Sequence, residues 1–267
     1  MNRRIRWSVE QGCRARLCSV IVVLAASAIF GCQQSNTTAI VGTNGNAQDS
    51  AAEFELALGD LLFQDLDCGP TCDAIETVTR GVDGCHLSHI GLVVDRLTAA
   101  EQSAAHDALS RSDADWFVLE ALSAGVILTP LPDFLARSKD DAGNPKVLVG
   151  RLLAAHQPLI PGAVARGLRY LGTPYDEYFE MDDATLYCSE MIYLIFTPAP
   201  GARPIFELSP MTFKSPTTGA YFPAWVQYFE RLDHPIPEGQ SGINPAGISR
   251  APVLRVIHAY GQPDRSN

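Results

Sequence analysis

Tyr187-Cys188-Ser189-Glu190-Met191-Ile192-Tyr193 places one cysteine between two runs of opposite character. Before it lies the polar, turn-prone Asp182-Asp183-Ala184-Thr185. After it, Met191, Ile192, Leu194, Ile195 and Phe196 form an apolar run long enough for a short buried helix. The pattern predicts that Cys188 stands near a helix start. There the unpaired N–H groups and the positive end of the dipole favour thiolate over thiol, which makes the sulfur a usable nucleophile. A buried cysteine at the head of a core helix also serves as plain packing, so its reading depends on what other chemistry the chain brings.

The 267 residues are 46% hydrophobic and 19% charged, which suits one well-formed core and falls short of what two domains usually need. The first residues read as an address. Residues 1–16 carry Arg3, Arg4, Arg6, Arg14 and Arg16 against Glu10, and a largely apolar run follows from Leu17 to Phe30. That run is too short to span a bilayer and has the charged flank of a secretory signal. It closes on Ile29-Phe30-Gly31-Cys32, which resembles a bacterial lipobox with Cys32 as the lipidated residue, although Phe30 is bulkier than the residue usual there.

Cleavage before Cys32 would remove five arginines and one glutamate, taking the net charge from −10 to −14. So acidic a protein is a poor partner for nucleic acid, whose binding rests on basic side chains, and membrane attachment would come from the lipid. Residues 33–50 are polar and aperiodic, a tether with a reach on the order of 25 Å. The expected organisation is a signal peptide at 1–31, a lipidated cysteine and tether at 32–52, and one folded domain at 53–267. The expected location is the cell envelope, on a periplasmic or extracellular face.

Within that domain, Gly59-Asp60-Leu61-Leu62-Phe63-Gln64 reads as a buried strand, and Pro70 or Thr71 opens a helix. Cys68, Cys72 and Cys85 lie close together. Cys68 can bridge to Cys72, or either to Cys85, and the looser alternative is a zinc site with His86. A disulfide or plain packing is the preferred reading, and no metal or cofactor is expected.

Leu87-Ser88-His89-Ile90-Gly91-Leu92-Val93-Val94-Asp95 gives an apolar strand beginning at a histidine. Trp116-Phe117-Val118-Leu119-Glu120-Ala121 gives a second. Between them, Thr98 and Glu101 are spaced as a capping box for an inserted helix. Antiparallel pairing of the two strands would set His89 beside Glu120, and alternation puts Trp116, Val118 and Glu120 on one face. Separately, each has an ordinary explanation, as a solvated strand-end acid and a histidine satisfied by backbone. Together, at one end of a hairpin, they read as a base and its orienting acid.

Val126–Thr129 and Lys146–Leu152 add strands across a polar segment, completing a meander of four or five. Pro161, Val164, Leu168 and Leu171 mark a helix from which Arg166 and Arg169 point away without a special role. Tyr175, in Gly172-Thr173-Pro174-Tyr175-Asp176, can donate a hydrogen bond near the thiolate or to a developing oxyanion, or serve as a core tyrosine. Phe206, Phe213, Tyr221, Phe222, Trp225, Tyr228 and Phe229 are mostly core, some of them possible walls of an apolar groove. Residues 233–253, rich in proline and glycine, read as a surface strap before a last strand at 253–257.

In order along the chain, Gly59-Asp60-Leu-Leu-Phe-Gln, Ser88-His89-Ile-Gly-Leu-Val, Val118-Leu119-Glu120-Ala121, Gly172-Thr-Pro174-Tyr175-Asp176 and Tyr187-Cys188-Ser189-Glu190 resemble the YiiX-type, circularly permuted papain-like proteins of the NlpC superfamily. The resemblance spans roughly residues 58–200. It implies an α+β permuted papain-like fold, with an antiparallel sheet or barrel packed against the helix that carries the cysteine. It also implies a triad of Cys188 as nucleophile, His89 as general base and acid, and Glu120 orienting the imidazole, with Tyr175 in support.

The expected activity is thiol hydrolysis of an amide in a peptide, a peptidoglycan-like substrate or an N-acyl compound. The alternatives are a lipid esterase or acyltransferase using the same triad, and a non-catalytic lipid- or cell-wall-binding module. A small-molecule, peptide or lipid substrate and the membrane, through Cys32, are the expected partners.

Overall fold

The computed structural model describes residues 54–265 apart from 104–108, 110, 182–183, 198–200 and 202. The leader, Cys32 and the tether lie outside the described residues. The described residues belong to one compact unit, 52–267.

The elements of this unit run β1 Leu61–Gln64, α1 Pro70–Val78, β2 His89–Asp95, α2 Arg96–Ser103, β3 Trp116–Leu122, β4 Gly125–Pro130, α3 Leu131–Ala136, β5 Val147–Leu152, α4 Ile160–Arg169, α5 Cys188–Phe196, β6 Ser209–Pro210, α6 Pro223–Leu232, β7 Ser241–Gly242, α7 Pro245–Ser249 and β8 Leu254–Ala259. Six strands form one sheet in the order β4-β3-β2-β1-β5-β8, every neighbouring pair antiparallel. This is the mixed helix and antiparallel-sheet architecture expected of an α+β fold. The meander holds for β1 to β4 only. β5 returns to the free edge of β1, and β8 closes the far side.

Alternation along the strands gives the sheet two buried faces, which is why the sequence shows near-continuous apolar runs. On one face Leu61, Phe63, Ile90, Leu92, Phe117 and Leu119 pack with Val164 and Leu168 of α4 and with Met191, Ile192 and Ile195 of α5. On the other, Leu62, Val93, Val118 and Val149 pack with Phe134 of α3. Burying each of these large side chains contributes about 1.5–3 kcal/mol. Asp60, almost wholly buried before β1, accepts two 2.7 Å hydrogen bonds from Arg151 of β5, tying the central strand to its returning neighbour.

Several local expectations need correction. α2 begins at Arg96 because Asp95 does the capping: its carboxylate accepts from the Thr98 N–H at 2.9 Å and the Thr98 hydroxyl at 2.7 Å. The polar segment after β4 opens with the short helix α3, whose Pro132 and Asp133 suit a first turn. The strap at 233–253 contains β7, paired to β6, and the helix α7, capped by Asn244 Oδ1 on the Gly247 N–H at 2.7 Å. Arg166 also has a role after all. Its guanidinium donates to the Ile195 carbonyl in the last turn of α5, at 2.7 Å from Nε.

Cys68 and Cys72 form a disulfide at the head of α1, and Cys85 remains a buried thiol. Two of the four donors of the zinc alternative are therefore bonded to each other. Most of the aromatic tail is core: Phe206, Phe213, Trp225 and Phe229 are buried, the last three in a cluster around α6.

Candidate active site

The two side chains expected to react stand each at the start of an element. His89 is the first residue of β2 and Cys188 the first of α5. The helix start is fixed on two sides. The Tyr187 N–H donates to Glu190 Oε2 at 3.3 Å, half of a capping box. From the strap, the Ile243 N–H donates to the Tyr187 hydroxyl at 3.2 Å and the Ser189 hydroxyl donates to the Ile243 carbonyl at 2.9 Å. Strap and helix thus clasp each other on either side of Cys188.

β2 and β3 pair with Leu92 opposite Leu119 and Val93 opposite Val118. That register carries Glu120 back toward His89, and their side chains meet at 2.6 Å, Nε2 to Oε2. Gly91 makes room for this approach: a Cβ there would fall 2.3 Å from Val118 Cγ1 and 3.4 Å from Glu120 Cβ. With Nε2 on the carboxylate, Nδ1 is left for the Cys188 side chain, which lies near enough to raise the pKa of the imidazole. The sequence-predicted sulfur, imidazole and carboxylate are brought together.

Burial works against a charged His89 ring, yet the hydrogen bonds to Cys188 and Glu120 outweigh it and push the group up to about 9. Burial likewise opposes a charged Glu120, but Arg137 first and His89 second pull it down to about 2. The arrangement favours an imidazolium beside an ionised Glu120 at neutral pH. Cys188 keeps 7% of its surface, against 3% for His89 and none for Glu120, so it is the least buried residue of the three.

Tyr175 reaches the site through backbone pairing. The Val126 N–H donates to the Thr173 carbonyl and the Gly172 N–H to the Val126 carbonyl, both at 2.9 Å, while the Leu186 N–H donates to the Pro174 carbonyl at 3.0 Å. Gly125 permits the approach, since a Cβ on it would lie 2.5 Å from the Thr173 oxygen and its φ is +99°. The phenol's pKa is raised well above its ordinary value by burial and by the nearby Cys188, so it remains a hydrogen-bond donor. Asp176 then turns the chain, accepting from the Tyr178 and Glu180 N–H groups at 2.7 Å. This brings Phe179 edge-on to Tyr187 at 5.6 Å.

Two residues of this network were not singled out from the sequence. Thr129 donates to Glu120 Oε1, and Arg137 grips both carboxylate oxygens, with 2.6 Å from Nη1 to Oε2. Thr129 was within reach of the strand alternation, because it faces Val118 and so shares Glu120's side of the sheet. Arg137 needed the unrecognised helix α3.

Away from the site, Asp65, Asp67 and Asp264 are the one group among the described residues spaced to hold a metal ion. The Lys146 ammonium already lies among them, at 3.2, 2.7 and 3.2 Å, so this donor set does not fit a resident metal.

Residues 55–258 match the family described as permuted papain-like amidase enzyme, YaeF/YiiX, C92 family. The uncharacterized protein YiiX of Escherichia coli (strain K12) is 27% identical over 201 residues, covering 74% of this chain and 84% of that protein. The crystal structure of metalloprotein yiiX from Escherichia coli O157:H7 superposes with a TM-score of 0.55 at 24% identity, over 77% of this chain and 98% of that one. An α+β fold that gathers a cysteine, a histidine and a carboxylate agrees with that match, and the chain belongs to the YaeF/YiiX, C92 family of permuted papain-like amidases, enzymes of the cysteine peptidase type.

Proposed function

We propose that this amidase is a cell-envelope lipoprotein that cleaves an amide bond through Cys188, His89 and Glu120. The observation that carries the reading is the His89 imidazole, bonded to Glu120 at 2.6 Å and with Cys188 near enough to raise its pKa. The thiolate of Cys188 attacks the substrate carbonyl carbon and forms a C–S bond, and the negative charge moves to the carbonyl oxygen. In this reading the Cys188 backbone N–H, the first of α5, and the Tyr175 hydroxyl receive that oxyanion. Imidazolium His89 donates its proton to the leaving amine as the C–N bond breaks. Neutral His89 then takes a proton from water, whose oxygen displaces the sulfur and releases the acid. Glu120 stays ionised throughout and holds the ring.

Attachment through Cys32 rests on the leader sequence and the lipobox-like Ile29-Phe30-Gly31-Cys32. Incorporation of labelled palmitate by the parent, absent from Cys32→Ala, is the expected result. For the chemistry, purified parent and Cys188→Ala proteins are assayed against N-acyl amides, short peptides and lysophospholipids. Hydrolysis of an amide by the parent alone supports the reading. Turnover of only the ester substrates would replace it with a lipid esterase, and equal turnover by both proteins would remove Cys188 from the mechanism.

A further inference from the structure

We propose that Arg137 is a positioning residue of this reaction, keeping the buried Glu120 ionised and aimed at His89 so that the imidazole can hold the proton Cys188 gives up. The inference rests on the triad reading above. Glu120 is wholly buried, and its two oxygens take every hydrogen bond available to them: Oε1 from Thr129 and Arg137, Oε2 from Arg137 and His89. A carboxylate so far from water ordinarily takes a proton. The groups facing the imidazole are Cys188 from α5 and Glu120 from β3. Arg137 stands behind Glu120, and Tyr175 faces Cys188.

Counting these charges, thiolate, imidazolium, carboxylate and guanidinium sum to zero, as do thiol, imidazole, carboxylate and guanidinium. Without the guanidinium, either state leaves one net negative charge in a dry site. The carboxylate then protonates, and its bond to His89 becomes that of a neutral acid.

The guanidinium is not what holds its segment in place. Phe134 of α3 is fully buried, its carbonyl accepts from Gln64 Nε2 at 2.9 Å, and the Ser138 hydroxyl donates to the Asp65 carbonyl. The guanidinium in turn lies 5.1 Å over the Phe134 ring, which is 6.0 Å from the His89 ring, so one aromatic side chain backs both cations.

The test reads Cys188 directly and needs no substrate. The full-length protein is alkylated with iodoacetamide from pH 5 to pH 10, and the Cys188 peptide is followed by mass spectrometry. Arg137→Gln is expected to move the reactivity midpoint up by about one pH unit and to slow alkylation about tenfold at pH 6.5. Arg137→Lys keeps the charge without the two-pronged geometry, and about a threefold loss is expected. In a Glu120→Gln background, adding Arg137→Gln should change the rate less than about twofold, because Arg137 acts only through the carboxylate. An unshifted Arg137→Gln profile, or the same loss in both backgrounds, overturns the inference. Should Arg137→Gln fail to fold by circular dichroism, Arg137→Lys decides, and a profile coincident with the parent's overturns it. Failure of the triad itself looks different: His89→Ala and Glu120→Gln would then leave the Cys188 profile unchanged.

Discussion

Cys188 and His89 are polar residues at element starts, so removing either should abolish turnover and spare the fold. We expect Cys188→Ala and His89→Ala to lower kcat by about 10⁴-fold or more, with melting curves close to the parent's. Glu120→Gln should retain measurable activity, since the carboxylate forms no bond to substrate. It also leaves Arg137 facing a neutral amide, so a stability loss of roughly 3 kcal/mol is expected in urea titrations. The pH dependence follows from the two shifts. His89 is raised to about 9, so its stabilising contribution is complete below its unfolded value near 6.5 and disappears as pH rises through about 9. Glu120 is lowered to about 2, so its contribution is present above about 4.5 and is lost as pH falls through about 2. Activity should therefore fall along an alkaline limb near pH 9, and Glu120→Gln should move that limb to lower pH. A limb that stays in place in Glu120→Gln would separate the carboxylate from the base.

At the scale of elements, the hairpin of β2 and β3 depends on a missing side chain. Gly91→Ala would drive a methyl into Val118, and we expect about 1–3 kcal/mol of destabilisation with a disproportionate loss of kcat, because the displaced strand carries Glu120. The Cys68–Cys72 disulfide closes a loop with a sequence separation of only 4, so replacing both by serine should remove only about 2 kcal/mol on chain-entropy grounds. Strand alternation made the His89 and Glu120 pairing legible, and the apolar run after Cys188 did the same for α5. What escaped were features without a periodic signal. α3 is six residues long, too short to declare a helical face, and Arg137 lies just past its end. The clasp between Ile243 and residues Tyr187 and Ser189 links positions more than fifty residues apart through one backbone group, which no local pattern encodes.

Across the whole molecule, titration reaches beyond the active site. Glu76 of α1 is 6% exposed and raised to about 7 by burial, against a hydrogen bond with Ser88 that lowers it. A carboxyl raised in the folded state weakens that state as pH rises from about 4.5 through about 7. Glu76→Gln should therefore raise the urea midpoint at pH 8 and leave it nearly unchanged at pH 4, and an equal shift at both would show that its charge is not the cause.

The order of parts along the chain carries a consequence for biogenesis. As the polypeptide emerges amino end first, the strands carrying His89 and Glu120 can pair while Cys188 is still unsynthesised. The sulfur thus joins a finished His89–Glu120 pair late, and its clasp at Ile243 comes later still. A nascent chain halted before residue 243 would present the thiol without that restraint, so premature termination yields an unassembled thiol rather than a small working enzyme.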